Sequence, residues 1–253
     1  MIPIFVVSMP NSPRRLSMTS KLKDMEFEYL DAIVGKSFLN EIGQINNTEW
    51  VKNRYKRNLT AGEFGCSESH KEIYKKIIEH KIPWAIILED DVDFSINFQK
   101  IINSNIEDFN PESIYIFGCQ EGLGSSRYIV LSKNTNLDLG EIKFRKCLSS
   151  DKYVYRTAAY LISSQVAKNI ISFTKNHYCL ADDWDIFHKK DLYNSIYLSD
   201  FVSHPEDLNN QSTIEKDRSL NANLSFNKFR NMQEFLKKIK IFFRKIIIRK
   251  CYD

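Results

Sequence analysis

Trp84-Ala85-Ile86-Ile87-Leu88 runs directly into Glu89-Asp90-Asp91, with Asp93 two residues on. Five apolar residues without alternation predict a central strand covered on both faces. The abrupt change to three acids marks the carboxyl end of that strand, the edge where open α/β sheets bind ligands. Upstream, Ile2 to Val7 predicts a buried first strand, closed by Pro10 and Pro13. A helix over Arg14 to Met25 and a strand over Phe27 to Ile33, ending at Gly35, follow. Residues 36–58 are polar and rich in Asn and Lys; they read as an irregular mobile loop, long enough to help bind an acceptor. Thr60 and Glu63 have the spacing of a capping box, starting a helix that runs through Ile78 and stops before Pro83. Downstream come a short helix over 96–106, a strand over Ser113 to Phe117, a Gly/Ser-rich loop over Gly122 to Ser126, and a strand-then-helix over 158–175. Strands alternating with helices predict an α/β sheet sandwich.

The chain has 253 residues, 43% of them hydrophobic and 27% charged, which excludes wholesale disorder. Its five cysteines form no CxxC pair, so a disulfide scaffold and a Cys-rich zinc module are excluded. No apolar run reaches the roughly 18 residues of a spanning helix, and the start lacks a signal peptide's features. The expected compartment is reducing cytosol. The net charge of +4 is unevenly placed. From Lys228 onward, nine Lys and Arg face only Glu234 and Asp253, a net of +7, which leaves −3 for the first 227 residues. The basicity therefore describes one segment, not a nucleic-acid-binding body.

Three adjacent carboxylates repel one another unless a cation or a donor network offsets them. Oxygen ligands of this kind suit Mg²⁺ or Mn²⁺, which keep open positions for substrate phosphates. A solvated acidic turn is the plain alternative. Phosphatases and nucleases use similar carboxylates, so the motif alone supports metal plus phosphate without naming a reaction.

Phe5-Val6-Val7-Ser8-Met9-Pro10 with Arg14-Arg15 resembles the opening strand and arginine pair of glycosyltransferase family 25, the lipooligosaccharide-biosynthesis type. Leu59-Thr60-Ala61-Gly62-Glu63-Phe64-Gly65-Cys66 with Ser69-His70 is similar to its signature, Ile86 to Val92 matches its acidic motif, and Ala159-Tyr160-Leu161-Ile162-Ser163 is similar to a later strand. Asp182-Asp183 and the stretch from His204-Pro205 to Gln211-Ser212 are weaker echoes. The motifs fall in the family's order over residues 1 to about 215. The resemblance implies a GT-A-like (Rossmann-like) domain that uses a UDP-sugar and inverts the anomeric carbon. Bacterial members mostly add galactose, sometimes glucose, to a growing lipooligosaccharide on the cytoplasmic face.

In that picture Asp91 is the first choice as metal ligand, completed by Glu89 or Asp93, with His204 either a further ligand or a structural histidine. Ser8, Pro10, Arg14, Arg15, His70, Glu89 and Asp90 are the expected contacts of the donor nucleotide, with a hydrogen-bonded packing role the equal alternative for His70. The arginines suit its diphosphate, the alternative for one of them being a solvated first helical turn. Inversion needs a base for the acceptor hydroxyl, and Asp183, Asp182 and Asp185 around Trp184 are the candidates. An aromatic beside carboxylates is also a way to hold a sugar face. The family usually has a proline before this acidic pair, where this chain has Ala181, and three Asp in four residues equally suit a helix N-terminus. Cys66 reads as a small buried residue rather than a nucleophile.

Apolar residues at 235, 239, 242 and 246 share a helical stripe flanked by cations. The chain thus divides into a catalytic domain (1–220) and a basic amphipathic extension (221–253) suited to lying on an anionic inner-membrane surface. The acceptor would be a glycan on a lipid carrier or lipid A core. Three rivals remain open: a UDP-glucose-dependent transferase, an idle membrane-docked nucleotide-sugar binder, and a metal-dependent phosphoesterase.

Overall fold

The computed structural model describes residues 1–94 and 98–204. Elements follow in chain order: β1 (Ile4–Ser8), α1 (Arg14–Lys21), β2 (Phe27–Asp31), α2 (Leu39–Asn47), α3 (Glu49–Tyr55), α4 (Ala61–Glu79), β3 (Trp84–Glu89) and β4 (Asp93–Phe94). Then come α5 (Gln99–Ile102), β5 (Ser113–Gly118), β6 (Leu137–Leu139), β7 (Ile142–Lys146), β8 (Ala159–Ser163), α6 (Ser164–Thr174), α7 (Trp184–Lys189) and β9 (Ser195–Ser203). They form a mixed, nine-stranded sheet in the order β2-β1-β3-β8-β5-β9-β7-β6, with β4 pairing β9. β1, β2 and β3 are parallel, β8 runs antiparallel to both β3 and β5, and β5 is parallel to β9.

β3 is central, and its alternate residues serve two cores. Trp84, Ile86 and Leu88 pack with Ile4, Val6, Phe98, Phe117 and Phe201 on one face. Ala85 and Ile87 pack with Phe5, Val7, Ile73, Ile77 and Val166, under α4 and α6, on the other. Two buried faces leave no place for polar alternation, which is why the strand reads as a continuous apolar run.

The capping box forms: Thr60 Oγ1 accepts from Glu63 N, and the Glu63 carboxylate accepts from Thr60 N. Arg57 also grips Glu63, through two N–H groups. Gly65 is needed for contact, because a Cβ there would lie 2.4 Å from the carbonyl oxygen of Ile33. At Gly118, whose φ is +148°, a Cβ would lie 2.0 Å from the oxygen of Val202, where the β5–β9 register shifts. That close approach brings the ends of β5 and β9 together.

Residues 36–58 correct the expectation of a mobile loop. They contain α2 and α3, with Thr48 capping α3 through its hydroxyl. The apolar minority explains it: Val51, Leu59 and Leu180 form a small buried cluster with Ile45, Trp50 and Tyr178 against it. Trp50 Nε1 donates to the Tyr178 carbonyl at 2.7 Å. The first helix is also shorter than expected, ending at Lys21, and the short helix after residue 96 spans only Gln99–Ile102. The basic extension and the stretch from Pro205 to Ser212 lie outside the described residues, as does any test of the boundary at 220. Among the described residues no helix is long and apolar enough to cross a membrane.

Candidate active site

The carboxyl ends of β1, β3, β5 and β9 share one sheet edge, and the antiparallel β8 brings its beginning there. Glu89 closes β3, next to Val7 of β1, and its N–H donates to Ala158 O just before β8. His204 follows β9. Ligand atoms of Glu89, Asp91 and His204 all lie within 4.8 Å of one another. His204 Nε2 is 3.4 Å from Asp91 Oδ2, and Arg14 lies 3.2 Å from the same oxygen. The other oxygen, Asp91 Oδ1, is buried and has no hydrogen-bond partner.

Burial would raise the Asp91 carboxyl, but His204 and Arg14 outweigh it and hold the group below the usual aspartate range. Two carboxylates and an imidazole, with one carboxylate oxygen buried and unsatisfied, fit a divalent cation: a buried acceptor without a donor costs about 1–3 kcal/mol, and a bound ion would satisfy it. The imidazole suits Mn²⁺ better than the oxygen-preferring Mg²⁺.

Asp90 turns the other way. It accepts from Ser8 Oγ at 2.6 Å and Ser12 Oγ at 2.9 Å, and lies 3.3 Å from Arg14. Ser8 therefore serves Asp90, and Pro10 sits exposed in the turn after β1. Arg15, partly exposed, is held on the protein: it donates to Ser8 Oγ and Ser8 O, pairs with Asp31, and stacks 4.7 Å over Tyr29. His70 of α4 approaches Glu89 from beneath, its Nε2 3.6 Å from Glu89 Oε1, and its Nδ1 meets Tyr160 Oη at 2.8 Å.

Asp93 is not brought into this group. It sits on the edge strand β4, with a side chain 69% exposed, and pairs with Lys21 at 3.3 Å. The reason is local: β3 has ended at Glu89, and the turn carries residue 93 out to pair with β9.

The acids after Leu180 are arranged differently. Asp183 precedes α7, is 8% exposed, and accepts from Arg54 (2.7 Å), from Tyr55 Oη and from Leu180 N. Asp185 lies in the first turn of α7 and pairs with Lys189 at 2.8 Å and Arg54 at 3.6 Å. Asp182 Oδ2 accepts from Arg156 N at 3.1 Å. Trp184 corrects the expectation of a sugar platform: it is fully buried, edge-on to Tyr160 and Phe187, with Nε1 donating to Arg156 O. Trp184 opens α7 and packs inward with Phe187, while Asp185 beside it faces Arg54 and Lys189.

Three participants were not singled out from sequence. Thr157 Oγ1 donates to Glu89 Oε1 at 2.9 Å. Arg156, with φ +67°, donates to the carbonyls of Cys119 and Glu121, and so ties the start of β8 to the end of β5. Glu121 accepts from His204 N and lines a cleft of about 450 Å³ with Gln120, Ser126, Ile129, Leu198 and Ser199. The polar pair Arg156-Thr157 before a buried strand was the available signal, and it becomes readable once that strand is known to run antiparallel.

The family model for glycosyltransferase family 25 (LPS biosynthesis protein) matches residues 1–185. The chain is 27% identical to procollagen galactosyltransferase 1-A of Xenopus laevis, covering 81% of this chain and 33% of that protein. It is 34% identical to a probable inactive glycosyltransferase 25 family member 3 of Rattus norvegicus over 42% of this chain and 20% of that one. The chain thus spans a third or less of these two relatives. It covers 96% of the lipooligosaccharide biosynthesis protein lic2B of Haemophilus influenzae, at 23% identity over 97% of its own length. Among solved structures, the galactosyltransferase LgtC in complex with donor and acceptor sugar analogs aligns at TM-score 0.40 and 10% identity, covering 91% of this chain and 99% of that one. With the family model spanning most of the described residues, the chain belongs to glycosyltransferase family 25.

Proposed function

We propose that this chain transfers a hexose, galactose first, from a UDP-sugar to a hydroxyl of a lipid-linked glycan, with inversion and with Mn²⁺ or Mg²⁺ as cofactor. The observation that carries the reading is the buried, unsatisfied Oδ1 of Asp91, set between Glu89 and His204. Glu89, Asp91 and His204 would hold the ion. When bound, it would offset charge on the departing diphosphate. Arg14, already at the carboxylates, would turn one N–H toward the phosphates, while Ser8 and Ser12 keep Asp90 in place. Galactose is the choice because relatives carry that activity in their names; glucose is the nearest alternative.

Glu121 is our candidate for the base that takes the acceptor proton. His204 N fixes its carboxylate between the metal ligands and the cleft, where an acceptor sugar would sit. Asp182 flanks the same rim through Arg156 and would bind a sugar hydroxyl, whereas Asp183 and Asp185 are engaged by Arg54, Tyr55 and Lys189. The GT-A-like reading of the sheet accords with donor binding at the ends of β1 and β3. The basic extension would hold the enzyme at the cytoplasmic face of the inner membrane, near its acceptor.

The test is UDP release from a panel of UDP-sugars with a galactose-, glucose- or GlcNAc-terminated acceptor, with Mn²⁺ or with EDTA. Metal-dependent turnover with one donor is expected. Several relatives are named as inactive, so donor binding without release of UDP would instead favour an idle nucleotide-sugar binder. Glu121→Gln should lower kcat by about 100-fold with little change in donor KM, the signature of a lost general base.

A further inference from the structure

Glu89 belongs to a second group of ligand atoms, on the side of the sheet edge facing α4. Cys66 and His70 stand one helical turn apart on α4 and so share a face. Cys66 Sγ, His70 Nε2 and a Glu89 carboxylate oxygen lie within 4.8 Å of one another. Three observations mark this group as more than a packing coincidence. His70 is 1% exposed, yet its Nε2 has no hydrogen-bond partner and points at Glu89. Its other nitrogen meets Tyr160 Oη at 2.8 Å, and Tyr160 meets Tyr74 Oη at 2.7 Å. That outer partner fixes the ring as it is fixed in metal-bound histidines, where one nitrogen donates outward and the other keeps its lone pair for the ion. Finally, the separation of 3.6 Å between His70 Nε2 and Glu89 Oε1 is close to the edge of a tetrahedron, about 3.4 Å for zinc bonds of 2.0–2.2 Å.

The donor set differs in kind from the one around Asp91. A thiolate and an imidazole select zinc, whereas two carboxylates favour the harder ions. Among the described residues Cys66 is also the one cysteine that is not buried. Burial pushes the thiol of Cys179 up to about 12 and that of Cys119 higher, against metal binding at those two positions. Thr157 Oγ1 lies 3.9 Å from Cys66 Sγ and 2.9 Å from Glu89 Oε1, so it touches both ligands.

We propose that Cys66, His70 and Glu89 form a second metal site that binds Zn²⁺, and that zinc there draws Glu89 away from the site it shares with Asp91 and His204. Binding breaks the Cys66 S–H bond, forms a Zn–S bond and releases one proton to solvent, with no redox change. The fourth position stays open to water. The second half of the proposal rests on the reading of Glu89, Asp91 and His204 as a Mn²⁺ site; the first half does not.

Co²⁺ serves as the probe for zinc, because a cobalt–thiolate bond gives a near-ultraviolet charge-transfer band. The full chain, carrying Cys251→Ser to remove a thiol outside the described residues, is titrated with Co²⁺ and then with Zn²⁺. A saturable band displaced by zinc is expected, absent in Cys66→Ser and Cys66→Ala and weakened at least tenfold in His70→Asn. The asparagine keeps a polar group near Tyr160 while removing Nε2, and circular dichroism with a melting curve shows which variants are folded. No band in the parent chain, or an unchanged band in both folded Cys66 variants, overturns the site. Mn²⁺ binding is then followed by electron paramagnetic resonance with and without one equivalent of Zn²⁺. A Kd at least tenfold weaker with zinc supports the sharing of Glu89, and an unchanged Kd overturns it. Failure of Mn²⁺ to bind at all would sink the Mn²⁺ reading while the cobalt band still decides the zinc site.

Discussion

The protein carries two knots of acid side chains, and they have opposite characters. Around Asp183 both carboxylate oxygens are matched: Arg54, Tyr55 and the Leu180 N–H converge on them and pin α3 to the turn before α7, with only the Arg54 Nε donor left over. Around Asp91 the matching is incomplete, with one buried oxygen left over and an imidazole and a second carboxylate nearby. Saturation holds a fold together, and unsatisfied bonding capacity points to a ligand. Acidity alone does not separate the two.

The sharpest way to break this contrast is to neutralise one member of each knot. Asp91→Asn should reduce UDP release by at least about 100-fold, the order expected when a metal or its transition-state contact is lost. Its fold should persist, with a loss of stability at neutral pH smaller than that of Asp183→Asn, since Arg14 keeps Asp90. Asp183→Asn should do the reverse. Removing one partner of a buried pair costs about 3–5 kcal/mol; Arg54 keeps 27% of its side chain in water, so a loss of about 2 kcal/mol in urea unfolding is expected, with activity per folded molecule preserved. Abolished turnover at unchanged stability in Asp183→Asn would return the catalytic base to Asp183 and undo the comparison.

Sequence and structure agree best where the argument was local. The run from Trp84 to Leu88 is readable because both its faces are buried, and the capping box at Thr60 because its two bonds span three residues. Glu89 and Asp91 could be picked out as the end of such a strand. Glu121 and Thr157 could not, because they reach the edge through the non-sequential order β3-β8-β5-β9 and the antiparallel course of β8. Polar composition hid α2 and α3, whose few apolar residues settle their packing. Asp93 followed the acidic run in sequence, but the chain turns outward between them.

A pH series sharpens the contrast without a ligand. In metal-free protein His204 and Arg14 hold the Asp91 carboxyl below its usual range against the upward pull of burial. A group depressed in the folded state adds stability above its unfolded pKa, about 3.9 for Asp, and loses that contribution as pH falls through the folded value. The parent chain should therefore exceed Asp91→Asn in stability at neutral pH, and the gap should close below about pH 4. A gap that widens on acidification would mean that Asp91 is not held ionised by its neighbours.

The smallest effect is expected at Asp93, and it tests whether sharing the acidic run is enough to share the function. Its side chain is 69% exposed, its pairing with Lys21 is on the surface, and β4 carries it out to β9. An exposed pair of this kind is worth about 0.2–1 kcal/mol, and Phe94 N, which the Asp93 carboxylate accepts at 2.9 Å, can be served by an asparagine oxygen as well. Asp93→Asn should then leave turnover within about twofold of the parent chain and Mn²⁺ affinity unchanged, because no contact to Glu89, Asp91 or His204 is altered. A loss near that of Asp91→Asn would mean that β4 folds inward when the ion arrives, and the ligand set would have to be redrawn around Asp91 and Asp93 rather than Glu89 and Asp91.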